Sequence, residues 1–125
     1  MKMVSTPKAP AAIGPYSQAV ISRGMVFASG QIPVDPATGE VVQGDISDQS
    51  HQVMKNMLEV LAAAGSSPER VIKTTCFLTD MAMFSVFNEI YAQYFPGKPA
   101  RACVQVAALP KGVLVEVEAV AETDQ

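Results

Sequence analysis

Arg101, Glu116 and Glu118 are the side chains best placed for chemistry in this chain of 125 residues, because they stand in two runs that alternate with period two. The runs are Arg101-Ala-Cys-Val-Gln-Val-Ala107 and Val113-Leu-Val-Glu-Val-Glu-Ala-Val-Ala121. Period two is the spacing of a strand whose successive side chains point to opposite faces. Arg101 then shares a face with Cys103 and Gln105, and the two glutamates share theirs with Leu114 and Val120. One guanidinium and one or two carboxylates among apolar neighbours can grip a small carboxylate and place a water beside it. The planar fork of an arginine matches a carboxylate with two hydrogen bonds and stays charged when partly buried. Glutamates two apart on a strand have Cα atoms roughly 7 Å apart on one face, so both can reach one cavity. If the two strands pair antiparallel with an odd register sum, Arg101 opposes Glu118 and Cys103 opposes Glu116. An even sum sends the arginine to the other face. The plainer readings are a solvated strand face for the glutamates and an ordinary ion pair for Arg101.

Other polar groups are sparse. His51 is the sole histidine, in a helical stretch beside Gln49 and Gln52, where a solvated or half-buried role is the commoner one. A mechanism needing two histidines cannot occur within one chain. Tyr16, after Gly14-Pro15, is either a capping phenol or a donor in a site. Asn88 is either a helix-surface amide or a site group. Gly30 would let a ligand approach its N–H closely, although turn geometry alone would also account for it. There is no Gly-x-Ser-x-Gly elbow, no phosphate-binding Walker loop and no metal-ligand cluster. A carboxylate pair also suits glycoside hydrolysis, but a sugar cleft normally wants aromatic walls and a longer chain.

Those residues depend on their elements for position. Met1–Pro15 reads as an arm lying on the body. Tyr16–Arg23 and Met25–Ser29 read as short strands turning at Arg23-Gly24, and Gly30-Gln-Ile-Pro33 breaks the second. Asp35-Pro-Ala-Thr-Gly39 is a turn. From Ser47 to Ala64, Val53, Met57, Leu61 and Ala64 recur at helical spacing, Asp45 or Ser47 can cap the start, and Gly65 stops the helix. A strand over Val71–Thr79 precedes a second helix over Met83–Phe95, with Phe84, Phe87, Ile90, Tyr91 and Tyr94 on its buried side. The two closing strands are separated by Ala108-Leu-Pro-Lys-Gly112. This order predicts an α+β single domain over residues 1–125, a mixed sheet with two helices packed on one face. The uncovered face, rich in valine and alanine, is expected to meet copies of itself.

Composition narrows the function classes. Hydrophobic residues make up 49% of the chain and charged residues 17%, which is apolar for so short a chain. A net charge of −3 argues against a phosphate-backbone binder, and the absence of tryptophan argues against a base-stacking platform. No nucleic-acid partner is expected. Cys76 and Cys103 are too few for a disulfide framework or a zinc site, and buried free thiols are the usual outcome in strands. Met1–Pro10 lacks the apolar stretch of a signal peptide and no run is long enough to span a bilayer, so no membrane role and a reducing, cytoplasmic setting are expected.

Several segments together resemble the Rid family, the reactive intermediate deaminases, also called the YjgF/YER/UK family. They are Gly14-Pro-Tyr-Ser-Gln-Ala19, Ala28-Ser-Gly-Gln-Ile-Pro-Val34 with Asp35-Pro-x-x-Gly-Glu40, Val71-Ile-Lys-Thr-Thr75, Pro99-Ala-Arg-Ala-Cys-Val104, Leu109-Pro-Lys111 and Val115-Glu-Val-Glu-Ala119. The resemblance runs in order from about Ala11 to Ala121 and is strongest to the RidA subgroup, whose arginine is matched by Arg101. It implies a chorismate-mutase-like fold and a homotrimer with a central barrel of sheets and sites between subunits. It also implies hydrolysis of 2-iminopropanoate and 2-iminobutanoate, which arise from enamines released by pyridoxal-phosphate-dependent dehydratases, to 2-oxo acids and ammonia. On this resemblance Arg101 would bind the substrate carboxylate and Glu116 would hold the attacking water. Tyr16, Gly30, Asn88 and Cys103 would line the pocket, and no cofactor or metal is called for. Phe87 is bulkier than expected beside Asn88. Some members of the family are described as holdases, regulators or endoribonucleases, which gives the competing expectations of a non-catalytic binding trimer or a translation inhibitor.

Overall fold

The structure, a computed structural model covering residues 1–125, has the expected α+β architecture. Five strands precede the first of two helices, a sixth strand lies between the helices, and two strands close the chain. The strands are β1 (Lys2–Val4), β2 (Ala19–Ser22), β3 (Met25–Gln31), β4 (Val34–Asp35), β5 (Glu40–Val41), β6 (Val71–Leu78), β7 (Ala100–Gln105) and β8 (Val115–Glu122). The helices are α1 (Ile46–Ala63) and α2 (Phe84–Tyr94). Six strands form one sheet in the order β1-β2-β3-β8-β6-β7, while β4 and β5 form a separate hairpin.

Helix α1 begins where its chemistry says it should. Asp45 accepts from the N–H of Ser47 (3.0 Å) and of Asp48 (3.2 Å), and the Asp48 carboxylate accepts in return from the Asp45 N–H (3.1 Å). That reciprocal box satisfies backbone donors that a helix start leaves without partners. At the other end Gly65 adopts φ +73°, and the Ser66 N–H reaches back to the Leu61 carbonyl at 2.9 Å. The helix lays Val53, Met54, Met57, Val60 and Leu61 on the sheet, and α2 adds Phe87, Ile90 and Tyr91. Beneath them lie Ile21, Val26, Leu78, Val115 and Val117, and together these belong to one core cluster of 23 residues. Each fully buried side chain of this size contributes about 1.5–3 kcal/mol from removal of its apolar surface from water.

Two crossovers set the sheet. β8 is antiparallel to both β3 and β6, so β3 and β6 run in the same direction with α1 between them in sequence. β7 is parallel to β6, with α2 as its crossover. The closing strands therefore do not pair with each other as the alternation suggested. β8 inserts between β3 and β6, and β7 takes the sheet edge. β1 also forms inside the arm, where no strand was expected, by pairing Met3 with Val20.

Two buried amides fix segments near the polar groups of interest. Gln18 accepts from the Thr6 N–H and donates to the Thr6 and Pro10 carbonyls, which ties down the arm that leads to Tyr16. Asn56 of α1 donates to the carbonyls of Ile32 (3.1 Å) and Val34 (2.9 Å), which anchors the chain leaving β3 just after Gly30.

Candidate active site

The register of the sheet divides the candidate residues into two groups. Arg101 is level with Thr74 across β7 and β6, and Thr74 is level with Ala119 of β8. Thr74 and Ala119 are buried beneath the helices, so Arg101 and, two residues on, Cys103 lie on the helix-covered side. Glu116 is level with Phe77, and Glu118 with Thr75, on the uncovered side. Arg101 and Glu116 of one chain are therefore on opposite faces of the sheet. Of the two faces that alternation left open for Arg101, the structure gives the one opposite the glutamates, and it does so without pairing the two closing strands, because β6 intervenes and runs parallel to β7.

On the helix side, Arg101 is held by three neighbours. Its Nη1 donates to Asn88 Oδ1 at 2.7 Å. The guanidinium carbon lies 4.8 Å from the centroid of the Tyr91 ring and 5.5 Å from that of Phe84, within the range at which a cation is attracted to an aromatic face. The single ion pair of the chain joins Arg70 to Asp124, so Arg101 carries no carboxylate partner. Phe84, Asn88 and Tyr91 stand at positions i, i+4 and i+7 of α2, one helix stripe turned toward the β7 edge. Cys103 is half-buried beside them, and burial pushes its thiol up while Arg101 pulls it down. Its neighbour across the strands, Cys76, is pushed up to about 12 by burial. Both are free thiols.

On the uncovered side, a bulge shapes the second group. Ala28 pairs with Ala119 and Gln31 with Val117, so β3 advances three residues where β8 advances two. Gly30 sits in that bulge, and the space a side chain would fill there is occupied by the Glu116 carboxylate. Burial, and then the like charge of Glu118, raise the proton affinity of Glu116 above its ordinary value. Alongside is a concavity of about 650 Å³ lined by Tyr16, Ser17, Phe27, Ser29, Thr75 and Glu118, among others. Tyr16 is more than half exposed there, as is half of Phe27.

The structure thus brings Arg101, Asn88 and Cys103 together, and separately brings Gly30 to Glu116 with Tyr16 on the same open face. Phe87 is fully buried against Tyr91 and points into the core, so its bulk does not reach the guanidinium. His51 lies on α1 with Nδ1 2.8 Å from the Tyr94 hydroxyl. No three His, Cys, Asp or Glu side chains converge to hold a metal ion, and no helix is long and apolar enough to cross a membrane. Sequence reasoning assigned Tyr91 and Phe84 to the core alone. The signal that links them to Arg101 was their helical spacing from Asn88.

Known proteins similar to this chain in sequence and in fold are numerous. A human 2-iminobutanoate/2-iminopropanoate deaminase is 52% identical over 121 residues, 96% of this chain and 88% of its own length. Escherichia coli TdcF, solved with bound serine, is 46% identical with a TM-score of 0.94, over 99% of this chain and 100% of its own. RidA from an Antarctic Psychrobacter is 44% identical with a TM-score of 0.93, over 98% of this chain and 99% of its own. The sequence pattern of the family described as endoribonuclease L-PSP matches residues 6–123. A match over nearly the whole chain, joined to a fold shared from end to end, makes this protein a member of that family, the YjgF or Rid family.

Proposed function

We propose that the chain, a single Rid-family domain, hydrolyses the reactive imino acids 2-iminopropanoate and 2-iminobutanoate to 2-oxo acids and ammonia, at sites built between copies in a homotrimer. Arg101 carries the reading. It is a guanidinium oriented by an amide and two aromatic faces, with no carboxylate of its own chain to neutralise it. That is the state of an arginine awaiting an organic anion. The human relative named as a deaminase of these two substrates supports the choice of anion.

The chemistry asks for little else. Once its nitrogen is protonated, an imino acid is electrophilic at carbon. Arg101 holds the carboxylate, so that carbon sits at a set distance from the pocket wall. Glu116 orients a water and takes a proton from it as the C–O bond forms and the C=N π pair moves to nitrogen. Glu116 returns that proton to the nitrogen of the resulting carbinolamine, and the C–N bond breaks to release ammonia as the C=O bond forms. The hydroxyl proton passes to the freed Glu116 carboxylate and on to solvent, balancing the proton first taken up by the imine nitrogen. Substrate plus water equals 2-oxo acid plus ammonia. A general base of this kind contributes about 10²–10⁴-fold, and an elevated proton affinity brings Glu116 closer to the operating pH.

Since Arg101 and Glu116 lie on opposite faces, the reading requires that the Arg101 edge of one copy meet the Glu116 face of the next. Tyr16 and Gly30 would then line the cleft from one side and Asn88 and Cys103 from the other. The exposed Phe27 and Val104 of the uncovered face are suited to being covered in such an assembly. The two free thiols fit a reducing, cytoplasmic setting.

The test uses a serine dehydratase to release 2-aminoacrylate, with semicarbazide trapping the imine. Wild-type protein is expected to lower the trapped product, and Arg101→Ala to leave it at the level of the uncatalysed reaction. If neither protein lowers the trapped product, imine hydrolysis is refuted and a binding, chaperone-like or ribonuclease role is favoured; if both lower it equally, Arg101 is not the group that carries the reaction.

A further inference from the structure

Tyr91 makes a contact that packing does not require. Its ring fills core volume between Phe87 and Phe95, at centroid distances of 5.8 and 4.9 Å, and phenylalanine would fill the same space. Its hydroxyl is instead buried 2.7 Å from Thr74 Oγ1, and the Cys76 thiol also reaches that Thr74 oxygen, at 3.9 Å. Replacing both members of such a buried pair by apolar groups of the same shape is close to neutral for stability, so the pair is poorly explained as a source of stability. What it does is fix the ring. A hydroxyl locked to Thr74 on β6 holds the Tyr91 face under the Arg101 guanidinium, 4.8 Å away, and Thr74 is the residue level with Arg101 on the next strand.

We propose that Tyr91, locked by Thr74, is a positioning residue that sets the plane of the Arg101 guanidinium and so the direction from which it receives a substrate carboxylate. This rests on the imine-hydrolase reading. Asn88 takes one N–H of the fork, and the Tyr91 and Phe84 rings lie 4.8 and 5.5 Å from its carbon, which leaves the remaining N–H groups to meet a planar anion. Burial raises the proton affinity of the phenol, so it stays neutral and hydrogen-bonds to Thr74 rather than ionising against Arg101.

The experiment compares Tyr91→Leu, the double variant Thr74→Val/Tyr91→Phe, Arg101→Ala and wild type. Calorimetry measures binding of 2-oxopropanoate and of its neutral amide, and the trapping assay gives kcat and KM separately. Tyr91→Leu is expected to weaken 2-oxopropanoate binding by about threefold to thirtyfold, the range of a lost cation–π contact. KM should rise with kcat little changed, and the amide should bind as before. The double variant keeps the ring and frees it, so it should melt as wild type does and weaken the anion by a smaller factor. Anion binding equal to wild type in the double variant would overturn the proposal, whether or not Tyr91→Leu folds. So would equal losses for anion and amide, which mark a collapsed pocket. If Arg101→Ala also binds the anion normally, the hydrolase reading itself fails. If only the Tyr91 and Thr74 variants are silent, the positioning role alone is lost.

Discussion

The Arg101 guanidinium already has three neighbours in its own chain, Asn88 at one N–H and the rings of Tyr91 and Phe84. Glu116 is prepared in a different way. It is held half-buried against the Gly30 backbone, and two residues away on the same face stands Glu118, which is exposed and shares its charge. Burial is the larger cause of its raised proton affinity and Glu118 the second. Both favour the protonated form, so the carboxylate needed as a base is lost at a higher pH than an ordinary glutamate would lose it. Glu118→Gln removes the like charge and leaves burial in place. The acid limb of the kcat/KM profile is therefore expected to move to lower pH in Glu118→Gln and to disappear in Glu116→Gln. A limb that stays put or moves upward in Glu118→Gln would show that the titrating group is not Glu116.

At the scale of elements, the bulge in β3 decides where that carboxylate can rest. An alanine at position 30 would place its Cβ where the Glu116 carboxylate lies. Gly30 has no positive φ, so the backbone accepts alanine, and the obstacle is the mobile end of a side chain rather than main chain. Gly30→Ala is expected to melt within a few degrees of wild type. It should lose about 10²-fold in kcat/KM, the cost of displacing a catalytic group by about 1 Å. Full activity would mean that the carboxylate does not work from this position. Little of this was readable beforehand. Helix α1 was, because Val53, Met57, Leu61 and Gly65 are local signals read within one element. So was the stripe of α2 that buries Phe87, Ile90 and Tyr91. The bulge was visible only as a strand broken at Gly30, since its partner Val117 is remote in sequence. The pairing of Arg101 with Thr74 was invisible for the same reason. Alternation tells which residues share a face of a strand, but the crossover through α2 determines which strand lies next to it.

For the whole molecule, the sheet imposes a condition that no side-chain movement can relax. Arg101 and Glu116 project from opposite faces of a closely paired sheet, with β6 between their strands. A shared pocket then needs a head-to-tail contact, in which the edge of one copy meets the open face of another, and such contacts form a ring where the rotation between copies closes. The consequence can be measured without a structure of the assembly. Arg101→Ala and Glu116→Gln proteins, each with only a small residual activity alone, are mixed in equal amounts and allowed to exchange subunits by unfolding and refolding together. A site is intact when its arginine comes from a Glu116→Gln copy and its glutamate from an Arg101→Ala copy. Random assembly makes that true of about a quarter of the sites, so about a quarter of wild-type activity should return. A chain carrying both substitutions, mixed with wild type as a control, leaves intact sites only where two wild-type copies adjoin. If the mixture of single variants stays at that residual level after exchange is verified by mass, each site draws both residues from one chain. The opposed faces of the sheet would then have to be joined in some other way, and the catalytic pairing of Arg101 with Glu116 would be abandoned.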